Sequence, residues 1–112
     1  MNKICTDINQ SKKLIELGLD VNTADMLWTY DFTVNDINGL NVITDDFKPE
    51  EKDIPAWSLN ALLDIIPNRY ALDKVNNEYF ITHTLGGKQE RFDNPLDAAF
   101  EMVCLLKENN KI

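Results

Sequence analysis

From Met26 to Val34 apolar and polar positions alternate: Met26, Trp28, Tyr30, Phe32 and Val34 are interleaved with Leu27, Thr29, Asp31 and Thr33. A period of two marks a half-buried strand, and it predicts one over 26–34 with that apolar row as its inner face. Asn38-Gly39 is a type I′ hairpin signal, so LNVIT at 40–44 is expected to return beside it. Upstream, Asp7 and Gln10 have capping-box spacing and open a helix expected over 8–17. Gly18 suits its left-handed stop, with Leu19 folding back on Leu14. In AWSLNALLDIIP, Leu59, Leu62, Leu63 and Ile66 recur at helical spacing, with Ser58 as N-cap, Trp57 as a staple onto Leu62, and Pro67 as the stop. A start at Pro55 would lengthen that helix by a turn. RYALDKV, EYFITHTL and KQERF, separated by Asn76-Asn77 and Gly86-Gly87, read as a meander. Asn94-Pro95 opens a final helix with Asp97 in its first turn and a stripe of Leu96, Ala99, Phe100, Val103 and Leu106.

The predicted fold is therefore α+β: a mostly antiparallel sheet of about five strands packed with three helices, in the order α-β-β-α-β-β-β-α. Residues 1–112 are expected to form one small globular domain, because a chain of this length supports a single core. With 44 % hydrophobic and 27 % charged residues, the composition is that of an ordinary globular protein. The opening MNKICTDINQ lacks a secretory apolar run and no segment approaches a membrane span, which predicts a cytoplasmic protein without membrane contact. Cys5 and Cys104 lie far apart and suit free thiols, with a single bridge as the alternative.

Charge changes the picture more than composition does. The net charge is −8, and residues 20–53 hold nine acidic against two basic residues. Such a surface repels phosphate backbones, so direct nucleic-acid binding is excluded as the expected activity, and stacking of bases on the 26–34 aromatics with it.

Candidate chemistry is sparse. VNDINGLNVITD matches a calcium loop only in part, since Val34 would stand at the first ligand position, and a hairpin turn is the expectation. His83 shares a strand face with Tyr79, Ile81 and Leu85, without a nucleophile elbow or a second histidine at metal-ligand spacing. On a helical wheel Cys104 falls among Asp97, Glu101 and Glu108, opposite the apolar stripe, where carboxylates raise a thiol pKa. Cys5 precedes a helix start, where the dipole would lower its pKa slightly. Asp45-Asp46 and Glu50-Glu51 read as a solvated charged loop with one helical turn after Pro49. No catalytic, cofactor or metal residue is assigned.

At SKKLIELGLDVNTADM, DIPAWSLNALLDIIP and DNPLDAAFEMVCLLKE, 47 residues in all, the chain resembles a family of small proteins of gut Bacteroidetes and their prophages. The resemblance implies a small accessory or regulatory role and supplies no catalytic residue to carry over.

The expected function is a non-catalytic interaction or regulatory module acting through a sheet edge or helix face on an unknown protein partner, with the acidic 20–53 region setting its preference. Two other readings stay open: a small ligand-binding protein or hydrolase-like enzyme using His83, Tyr79 and a carboxylate, and an acidic mimic of nucleic acid. Met102 and Leu105 widen the apolar face of the last helix, and this predicts a homodimer burying more than about 1,000 Å².

Overall fold

Short-range capping signals set all three helices. The computed structural model describes residues 3–45, 49–83, 86–87 and 89–112, and places α1 at Ile8–Glu16, α2 at Leu59–Ile65 and α3 at Pro95–Glu108. Each start carries the expected cap. Asp7 Oδ1 accepts from the Gln10 N–H at 2.7 Å while Gln10 Oε1 accepts from the Asp7 N–H at 3.0 Å. Ser58 Oγ accepts from Ala61 N–H at 3.2 Å, and Asn94 Oδ1 from Asp97 N–H at 2.8 Å. α1 ends at Gly18, φ 89°, and the next N–H, of Leu19, donates to the Leu14 carbonyl at 3.0 Å. That bond satisfies an orphan carbonyl and turns Leu19 into the core.

The chain is α+β, with three α-helices and five antiparallel strands divided between two sheets among the described residues. β1 (Met26–Asp31) lies between β2 (Asp36–Val42) and the short β3 (Ile54–Ala56); β4 (Tyr70–Val75) pairs with β5 (Glu78–His83). The third strand thus precedes α2, where a loop or an early helix start was expected. Met26, Leu27 and Trp28 pair with Ala56, Pro55 and Ile54. Pro55 is tolerated because β3 is an edge strand. β3 runs into Trp57, whose N–H donates to Thr6 Oγ1 at 3.1 Å and whose carbonyl accepts from Thr6 N–H at 2.9 Å.

The expected strand KQERF is replaced by a looser partner of β5; its Lys88 lies outside the described residues. Gln89 N–H donates to the Ile81 carbonyl at 3.2 Å, while Gln89 Oε1 accepts from Ile81 N–H at 2.7 Å. A side-chain amide stands where a ladder carbonyl would be, so regular pairing stops; His83 N–H donates to the Gly87 carbonyl at 3.1 Å, and Tyr79 and Phe92 close an isolated bridge. The Asn76-Asn77 turn forms as expected, with φ 53° and 63° at its two residues, as a type I′ turn requires.

The β1–β2 hairpin turns at 32–35 instead of at Asn38-Gly39. Asp31 Oδ1 accepts from the Thr33 N–H at 2.8 Å and its hydroxyl at 2.6 Å, and Asn35 takes φ 53°. An Asx turn therefore reverses the chain first. Gly39, φ 108°, lies within β2, where the register shifts between Trp28↔Leu40 and Tyr30↔Ile37. The glycine serves a bulge.

The face of β1 is also corrected. Leu27 is its fully buried side chain, while Met26, Trp28 and Tyr30 are half-buried and Phe32 and Val34 lie in the turn, 66 % and 57 % exposed. The main core gathers Leu14, Trp57, Leu62, Ile81, Leu96 and Val103 around α3, which packs on α2 and β5. Among the described residues no helix is long and apolar enough to cross a membrane.

Candidate functional site

Three places carry the polar chemistry: the hairpin, the cleft beside His83, and the junction of the N-terminal segment with α3. In and around the hairpin, among the described residues, five of the acids of 20–53 accept backbone N–H groups. Asp20 caps a 3-10 turn at Val21–Thr23 through Asn22 N–H at 3.0 Å. Asp25 takes the Ser58 N–H at 2.8 Å and its hydroxyl in a short bond, joining β1 to the α2 cap. Asp31 builds the turn, and Asp36 Oδ1 accepts Ile37 N–H at 2.7 Å. Asp53 accepts Tyr30 N–H at 2.8 Å and Glu50 N–H at 2.9 Å. Its carboxylate continues the β1–β3 ladder for one step past Ile54, closing the single turn after Pro49. These acids are caps, an arrangement unlike a phosphate-spaced row; Asp45, Glu50 and Glu51 are exposed at the surface, and Asp46 lies outside the described residues. Hydrogen bonds from the Thr33 hydroxyl, the Thr33 amide and Asn38 hold Asp31 below the usual carboxylate pKa.

Tyr30 and Phe32 meet edge to face, centroids 4.9 Å apart, and the Lys52 ammonium lies 4.8 Å and 5.5 Å from the two centroids. An ammonium over an aromatic pair is stabilised by the ring quadrupoles. The hairpin thus combines apolar residues, namely Phe32, Val34 and Val42, with carboxylates on one projecting element whose β2 packs mainly on β1.

His83 sits opposite Tyr70 in the β4–β5 register, the rings edge to face at 4.6 Å. Tyr79, the expected companion, has Lys74 Nζ 5.4 Å from its ring centroid, and Leu85 lies outside the described residues. A cleft of about 220 Å³ adjoins His83, lined by Tyr70, Gln89, Met102 and Leu105 among others. That is below the roughly 300–1,000 Å³ of ordinary small-molecule sites. Among the described residues no group of three or more His, Cys, Asp or Glu is placed to hold a metal ion.

Both cysteines are free and buried. Cys104, expected on the acidic side of α3, is only 2 % exposed, because the expected apolar stripe is too narrow: Ala98 and Met102 are buried as well, and α3 is covered on most sides. Burial first, then Glu101 and Glu108, push its thiol up to about 11 against an opposing pull from Lys13. Cys5 is likewise raised to about 11, by burial and then by Asp25 and Asp7. The expected lowering by a helix dipole is overturned, since the thiol is desolvated beside two carboxylates.

At the N-terminal junction, Asp97 accepts from Lys3 Nζ at 3.0 Å, Gln10 Nε2 at 2.8 Å and Asn94 Nδ2 at 2.8 Å. Burial opposes its ionisation, but Gln10, Asn94 and Lys3 together leave its pKa lowered. This cluster ties two helix N-termini together and is structural. The polar residues that sequence reasoning missed, Asp25, Asp53, Thr6 and Gln89, act across 8 to 51 residues of chain, and no local spacing announces them.

No family model, no curated protein and no solved structure matches the chain.

Proposed function

We propose that the protein is a non-catalytic interaction module whose β1–β2 hairpin docks a basic protein partner. One observation carries the reading: the hairpin exposes Phe32, Val34 and Val42 beside Asp36 and Asp45, in a third of the chain whose acids outnumber its bases nine to two. Exposed apolar groups supply contact area, and the surrounding field selects a partner of opposite sign. An accessory or regulatory role is what a resemblance to small Bacteroidetes and prophage proteins would imply, and a cytoplasmic setting is part of the same proposal.

The test compares proteins captured from the source organism by the wild-type chain and by a variant with Asp45→Asn, Glu50→Gln and Glu51→Gln. All three residues are exposed, and among the described residues their side chains cap nothing, so folding should be retained. Loss of lysine- and arginine-rich species by the variant is the expected result. Identical captured sets would overturn the role of charge.

The second reading, a small-ligand or hydrolase-like site, draws on the cleft beside His83. Its size and the separation of Tyr79 from the His83–Tyr70 pair favour the hairpin instead.

A further inference from the structure

We propose that the outer edge of β2 receives an extended, lysine- or arginine-bearing segment of the partner as an added antiparallel or parallel strand. This rests on reading the hairpin as the docking element and specifies how it docks. β2 is the end strand of the order β2-β1-β3, so one of its two edges pairs with no strand among the described residues.

Hydrogen bonding identifies the groups presented there. Ile43 N–H donates to the Asp25 carbonyl at 3.0 Å, and Leu27 pairs with Asn41. Alternation along an antiparallel ladder then points Asn41 toward β1, and the N–H and C=O of Leu40 and Val42 outward. Past the bulge the outward position passes to Ile37, because its partner Tyr30 turns its own N–H the other way, to Asp53. There the edge is already occupied, since Asp36 Oδ1 takes the Ile37 N–H. The open stretch is Leu40–Val42, four outward backbone groups with no hydrogen-bond partner among the described residues.

Charge selects the occupant. Asp36 begins β2 and Asp45 follows its end, so carboxylates stand at both ends of the open stretch. A second copy of this chain would bring an equally acidic hairpin against it, and an exposed edge protected by like charge is a common guard against self-pairing. A strand with cations flanking a short apolar centre meets both the charges and the exposed Val42. The Lys52 ammonium already lies 4.8 Å and 5.5 Å from the Tyr30 and Phe32 ring centroids, a contact of the kind a partner's cation would make there. Strand addition draws its affinity from main-chain hydrogen bonds and its selectivity from alternate side chains.

The probe is the peptide acetyl-Lys-Lys-Val-Thr-Val-Lys-Lys-amide, titrated into the 15N-labelled full chain at low ionic strength. The expected result is saturable shifts and slowed exchange at the Leu40 and Val42 amides, with a dissociation constant on the order of 1 mM or below. The same peptide methylated on every backbone nitrogen keeps its charge but not its donors, and is expected to bind about tenfold more weakly. Val42→Pro removes an outward N–H without touching the β1 ladder, and should weaken the unmethylated peptide by about as much. Because the methylated probe needs no protein variant, misfolding of Val42→Pro does not blunt the test. Equal binding of both peptides, with shifts confined to Asp36, Asp45 and their neighbours, overturns strand addition while leaving the acidic hairpin as the docking element. Binding by neither peptide overturns strand addition too, and the capture experiment then judges the hairpin separately. Concentration-dependent protection of Leu40 and Val42 without peptide would make the occupant a second copy and overturn the proposal.

Discussion

At the residue scale, buried polar groups decide what each conspicuous side chain does. With a pKa of about 11, Cys5 and Cys104 are each about one-thousandth thiolate at pH 8, and both are enclosed. Neither should react with iodoacetamide at pH 8 in the folded chain over an hour, whereas both should be modified in denaturing urea; mass spectrometry counts the adducts. One adduct on the native protein would show that its thiol is open to solvent. Asp97 titrates in the opposite sense. Its folded pKa lies below the ordinary 3.8, so its contribution to stability is complete above that value and is lost as pH falls below it through the folded pKa. Lys3, raised above 10.5 by Asp97 and Asp7 against the effect of its own burial, loses its share only as pH climbs past that value. Asp97→Asn should therefore cost about 1 kcal/mol at pH 7 and flatten the acid limb of urea stability below the ordinary carboxylate pKa of 3.8. An unchanged acid limb would remove Asp97 from the account.

At the element scale, what was legible in the sequence was what is local. The Asp7–Gln10, Ser58 and Asn94 caps, the Gly18 stop and the Asn76-Asn77 turn each depend on residues within five positions of one another, and each forms as read. β3 was hidden because three residues containing a proline carry no period, and its ladder is made with Met26–Trp28, 26 to 30 positions away. The hairpin turn was misplaced because a glycine after asparagine serves a bulge as well as a turn, while the signal that won, Asp31 reaching Thr33, is weaker in sequence than Asn-Gly. The inward face of β1 was misread for a related reason. Five large side chains in alternation look like a core row, yet the sheet buries Leu27, leaves Met26, Trp28 and Tyr30 only half-buried, and exposes Phe32 and Val34 in the turn. The candidate site was legible only as charge; its geometry depends on Asp53 and Asp25, which act over 23 and 33 residues. Two substitutions separate bulge from turn. Asn35→Gly relieves a left-handed asparagine and should be neutral or stabilising by up to about 0.5 kcal/mol, whereas Asn38→Gly, at a strand position, should cost about 0.5–1 kcal/mol. The reverse order in urea midpoints would put the turn back at Asn38-Gly39. Gly39→Ala should cost about 1–2 kcal/mol through backbone conformation alone, because no atom lies within 4 Å of the added carbon.

At the scale of the whole molecule, apolar surface and charge pull assembly in opposite directions. The expectation of a homodimer arose from an α3 with more apolar residues than one stripe, but most of them are used internally: Leu96, Phe100, Met102, Val103 and Leu106 are buried, and Leu105 is the one large apolar residue of α3 left exposed. A single leucine beside a 220 Å³ cleft is a small fraction of the roughly 1,000 Å² that a stable interface needs. The larger exposed set, Phe32, Val34 and Val42, lies on the hairpin, where pairing two copies would juxtapose two regions of nine acids and two bases each. Repulsion of that kind acts over a Debye length of about 8 Å at 0.15 M salt and shrinks to about 3 Å at 1 M. The expected outcome is a mass of one chain, 12.9 kDa, by light scattering after size exclusion at low micromolar concentration and low salt. If the hairpin carries self-affinity held off by charge, dimers appear first at high salt and more readily in the Asp45→Asn, Glu50→Gln, Glu51→Gln variant. A dimer that is already complete at low salt and insensitive to those substitutions would place the interface on the α3 side, at Leu105, and restore a second copy as the natural cover of that face.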